Sequence, residues 1–168
     1  MRWEALFRDL EAQFDHEELE RVRVEAAERT RGERASTVLA ARIAATRGSR
    51  LSVELLDGSR VGGNVADSAS EWVLLLDGRR ERLVPLAAVA SIEGLARRSD
   101  VMSKVESALP ITSALRALSR DRTRVQVRAG ASRTGVISAV GSDHLDLTTD
   151  GGTMMVIPLT SLREVSAA

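Results

Sequence analysis

The sequence predicts an α+β protein: an N-terminal helical segment, then two five-stranded small β-barrels in tandem, each preceded by a helix. Two observations carry that expectation. Arg50 to Ile92 and Arg124 to Val165 repeat one pattern, the mark of a duplicated supersecondary unit. Within each copy the apolar period is two, whereas before each copy it is helical. Leu51 and Val53 match Val125 and Val127, while Gly63 and Val65 match Gly135 and Ile137. Ser70-Glu71-Trp72-Val73 then matches Ser142-Asp143-His144-Leu145, and Val84-Pro85-Leu86 matches Ile157-Pro158-Leu159. The spacing between matched positions barely drifts, so the copies differ only in their turns.

Three parts follow: residues 1–34 as the helical segment, 35–94 as the first helix and barrel, and 95–168 as linker, helix and second barrel. Trp3, Leu6, Phe7, Leu10 and Phe14 recur at helical spacing and form one apolar stripe. Asp15 followed by Glu18 is a capping box for a second helix. Ala35, Val38, Leu39 and Ile43 carry a helical face up to Gly48, a natural stop. From Arg50 the strands are Leu51 to Leu55, Val61 to Ala66, Glu71 to Leu76, Glu81 to Val84 and Val89 to Glu93. Asp57-Gly58 and Asp77-Gly78 supply hairpin turns, and Gly62-Gly63 a bend. Pro85 lacks an N–H and ends the fourth strand. Residues 94–110 form a linker, and Pro110 opens a helix whose buried face is Ile111, Ala114, Leu115 and Leu118. The five strands then recur. Short strands bent at glycine curl into a barrel, which removes exposed edges.

Composition narrows the function. Among 168 residues, Lys plus Arg and Asp plus Glu balance at 24 each, so no global field draws the chain to nucleic acid or anionic lipid. There is no cysteine, hence no disulfide framework or thiolate chemistry. No apolar run approaches the ~20 residues of a membrane-spanning helix. Met1-Arg2-Trp3-Glu4 is amphipathic and acidic, unlike a secretory signal, so a cytoplasmic location is expected.

A helix leading into five bent strands, with Gly63-Asn64-Val65 or Gly135-Val136-Ile137 in the second, resembles the Sm-like fold of Sm, LSm and Hfq proteins. Val84-Pro85-Leu86 followed by Val89 to Gly94 is similar to the way such domains end. The chain as a whole also resembles a family of actinobacterial proteins of unassigned role. The Sm resemblance implies tandem small barrels and, by itself, a uridine site built from a third-strand Asn and an Arg before the final Gly. Those positions here hold Val73 and Leu145, then Glu93 and Ser166, so base recognition of that type does not carry over.

The remaining candidates are surfaces. Arg120, Arg122, Arg124, Arg128 and Arg133 concentrate positive charge, with Arg122, Arg124 and Arg128 at alternate positions of one strand. Such a row would contact phosphates, unless Asp143, Asp146 and Asp150 neutralise it across the sheet. Trp72 and His144 occupy one repeat position and suggest base stacking, though Trp72 shares its face with Leu74 and Leu76, as a core residue would. The Trp3, Leu6, Phe7, Leu10 and Phe14 stripe docks on its own barrels, on a second copy or on a partner protein. His16 and His144 stand apart, and neither a nucleophile motif nor metal-ligand spacing occurs. The expectation is therefore non-catalytic, with no cofactor and no metal: an adaptor binding a macromolecular partner, or a nucleic-acid binder using the arginine cluster. A domain that shapes another protein's active site is a third reading.

Overall fold

Wherever the apolar period is two, the chain is strand. The structure, a computed structural model, describes residues 38–167 together with Glu20, Arg23 and Val24. The chain divides into two compact units, Met1–Thr37 and Val38–Ala168. In the first unit, Glu20, Arg23 and Val24 are helical, and Arg23 donates to Glu20 at 3.0 Å. Trp3, Leu6, Phe7, Leu10, Phe14 and the proposed capping box lie outside the described residues.

The second unit begins with α1 (Leu39–Ala44), then β1 (Arg50–Leu55), β2 (Arg60–Ser68), β3 (Trp72–Asp77), β4 (Arg80–Pro85) and β5 (Val89–Glu93). Next come α2 (Lys104–Ala108) and α3 (Ile111–Arg120), then β6 (Arg124–Ala129), β7 (Ala131–Val140), β8 (His144–Thr149), β9 (Met154–Pro158) and β10 (Glu164–Ala167). A single 3-10 turn follows Pro85, at Leu86–Ala88, and Pro158, at Leu159–Ser161.

The expected pair of closed barrels is not what forms. All ten strands join one open antiparallel sheet in the order β5-β1-β2-β3-β4-β10-β6-β7-β8-β9, with three short helices, so the described fold is mainly β rather than α+β. The cause lies at the strand edges. In each half the last strand returns to the first, β5 to β1 and β10 to β6, leaving the fourth strand with an open edge. Closing a barrel would require β4 to bond within its own half. Instead β4 bonds β10, with Leu83 opposite Val165 and Arg82 opposite Ser166. The edge of one copy satisfies the edge of the other, and the sheet ends at β5 and β9.

Two apolar clusters follow the repeat. Ile43, Leu51, Val53, Val65, Val73, Leu75 and Val84 fill the first, while Val125, Val127, Ile137, Leu145, Leu147, Ile157 and Val165 fill the second. Because side chains alternate along a strand, β3 and β4 serve both. Val73, Leu75 and Val84 face the first core, while Trp72 and Leu83 join the second, with Leu74 packed against it. The outer face of one half thereby becomes a wall of the next.

The paired glycines have a shared role. A Cβ on Gly63 would come within 2.8 Å of the Leu76 carbonyl oxygen, and one on Gly135 would collide with the Thr148 carbonyl. Only glycine lets β2 and β7 lie this close to β3 and β8. Register shifts just beyond, between Val65 and Asp67 and between Ile137 and Ala139, bend both strands as bulges do.

α2, within the expected linker, is set by a capping box: Glu106 N–H donates to Ser103 Oγ while Ser103 N–H donates to Glu106 Oε2. The Ser103 backbone N–H and the guanidinium of Arg47 hold the Glu106 carboxyl down to about 2. α3 packs against β7, and its entry is tied to the start of β3, where Ile111 N–H donates to Glu71 Oε2 at 3.1 Å and Trp72 Nε1 donates to the Leu109 carbonyl at 3.2 Å.

Candidate functional site

The five candidate arginines are dispersed to different tasks. Arg124 and Arg128 share one face of β6, but Arg122 lies in the turn before it, outside the expected strand row. Arg133 stands opposite Val127 and so belongs to the other face. Arg124 is held by Asp150, the neutralisation the sequence suggested, through Nε at 3.1 Å and Nη2 at 2.5 Å. That bond lowers the Asp150 carboxyl. Arg128 donates to Ser59 Oγ at 2.7 Å and pairs with Glu164 at 3.3 Å. Both guanidiniums are engaged in ion pairs.

Arg120 and Arg122 are placed differently. They line a cleft of about 480 Å³ with Ser119, Ser138 and Thr148, at the end of α3 against β7 and β8. Arg122 has φ 49, the one non-glycine residue in the left-handed region among those described. Its N–H donates to the Ser119 carbonyl and the next N–H, of Thr123, donates to that of Leu118, so the αL residue ends the helix. The matching turn before β1 holds Gly48, with φ 80. An arginine thus occupies a backbone position that favours glycine, and its side chain is exposed.

Trp72 is core. It is buried in the second cluster, and its indole N–H is satisfied by Leu109, which removes it as a stacking platform. His144, its repeat partner, is half-buried and bonds Asp143 at 2.7 Å through Nδ1. That carboxylate raises the His144 imidazole above its ordinary value and is itself lowered.

The junction between the halves is polar on one face. Glu164, only 3% exposed, accepts from Arg82 at 2.6 Å and pairs with Arg128. Arg82 also reaches Asp77 at 3.6 Å, yet its Nε is buried without a partner. On the other face Leu83 meets Val165, both buried.

The sheet edge at β9 is a feature the sequence reading passed over. Met154 is 66% exposed and Val156 60% exposed, and they share a face, as alternate strand residues do. The run Met154-Met155-Val156-Ile157-Pro158 carries no charge, whereas the matching β4 run is Glu81-Arg82-Leu83-Val84-Pro85. That loss of charge between matched strands was the available signal. An uncharged apolar edge invites strand pairing.

Among the described residues no group of acids and histidines is arranged to hold a metal, and no helix is long and apolar enough to cross a membrane. No protein-family model matches the chain, and no curated protein does.

Proposed function

We propose that this protein is a non-catalytic binding module that takes a macromolecular partner at the β9 edge of its sheet. The observation that carries this reading is the bare pair Met154 and Val156 on an uncharged terminal strand. An edge strand offers a ladder of main-chain groups to an incoming strand, and pockets between alternate side chains give selectivity. Affinity-tagged full-length protein should retain a protein from its host that Val156→Lys loses. Equal retention by wild type and variant would reject the edge.

A second reading, nucleic-acid binding through Arg120 and Arg122, draws support from the strained backbone of Arg122. Backbone strain of this kind is found where a side chain must be aimed. Ser119, Ser138 and Thr148 add hydroxyls suited to phosphate oxygens. This reading uses fewer arginines than the cluster contains, because Arg124 and Arg128 are already engaged.

A further inference from the structure

Resting on the β9 reading, we infer that the partner at that edge is a second copy of this chain, which docks its β5 against β9 head to tail. The argument uses the repeat and the strand order alone. β9 is the repeat image of β4, since Leu145 pairs with Ile157 as Val73 pairs with Val84, and Asp146 with Val156 as Leu74 with Leu83. β5 is the image of β10 by the same test: Val53 pairs with Ile92 as Val127 pairs with Val165. Each chain therefore holds one completed β4–β10 junction and, at opposite ends of its sheet, both halves of another.

The register transfers directly. Leu83 opposite Val165 becomes Val156 opposite Ile92, and Arg82 opposite Ser166 becomes Met155 opposite Glu93. Burial agrees. Leu83, with a strand beside it, is 4% exposed, whereas its image Val156 is left bare.

The two junctions are not interchangeable. The internal one carries the Arg82, Glu164 and Arg128 cluster, whose images are Met155, Ser91 and Glu54. Putting β9 on β10 would strip Glu164 of Arg82 and leave a buried carboxylate short of its partner. β9 thus accepts β5 rather than displacing β4. The surfaces joined are different, so the contact is heterologous and propagates into a ring or a filament.

Sedimentation of full-length protein over a concentration series tests this, with Val156→Lys blocking β9 and the exposed Ser91→Lys blocking β5. Circular dichroism identifies any variant that fails to fold, in which case Met154→Lys replaces the first and Glu93→Lys the second. Wild type should grow beyond a dimer with concentration. Each variant alone should stay monomeric, and their mixture should form a one-to-one dimer and nothing larger. A wild type monomeric at its highest soluble concentration would overturn the inference, as would Ser91→Lys protein that still self-associates through β9 alone. If the chain is monomeric yet retains a host protein lost on Val156→Lys, the second copy is refuted and edge binding stands. If it is monomeric and retains nothing, both are refuted.

Discussion

Gly48 and Arg122 answer the same backbone demand in the two repeats, and only one answer is comfortable. A left-handed residue lies between the helix and the first strand in each, at φ 80 for Gly48 and φ 49 for Arg122, with Arg122 closing α3 directly and Gly48 following α1 by a further turn. The Cβ of an L-residue crowds its own carbonyl there, at a cost of about 1 kcal/mol. Arg122→Gly should therefore raise unfolding free energy by about 1 kcal/mol in urea. If the Arg120 and Arg122 cleft holds phosphate, the same change should weaken binding of a labelled oligonucleotide at low salt. Stabilisation with unchanged binding would exclude Arg122 as a nucleic-acid contact. Either strain or affinity explains the residue, and one variant separates them.

At the scale of strands, the β4–β10 pair holds the halves together. Its apolar row, Leu83 with Val165, continues the second core, and its polar row buries Glu164 between two guanidiniums. Removing one member of a buried ionic group leaves the rest desolvated and unpaired, which costs about 3 kcal/mol. Glu164→Ala should lose about that much in urea unfolding, whereas Ser91→Ala at the image position should change stability by less than about 0.5 kcal/mol. Equal effects would mean that the ionic cluster does not anchor the junction. Strand positions were legible in the sequence because alternation of Leu51, Val53 and Leu55 or of Val125 and Val127 fixes faces. The covering of β3 on both sides was legible too, since Trp72, Val73, Leu74 and Leu75 are all apolar. Partner choice along an edge was not, because side-chain pattern says nothing about which N–H and C=O rows meet. For the same reason Arg128 read as a phosphate contact: Glu164, its partner, lies far along the chain and becomes its neighbour only through the β10–β6 pairing.

For the molecule as a whole, duplication without closure is the governing fact. Two units that each leave a fourth strand unpaired can complete only one junction inside a single chain, so an open sheet with two unlike ends results. Those ends are where binding is proposed, and the central junction is what makes them available. Residue-resolved amide hydrogen exchange in dilute solution measures both together. Amides of β4 and β10 should be as protected as those of β6, while the outward amides of β5 and β9 exchange fast and slow down as protein concentration rises. Rapid exchange throughout β4 and β10, with β5 and β9 protected at every concentration, would mean that the halves close separately and would contradict the open sheet.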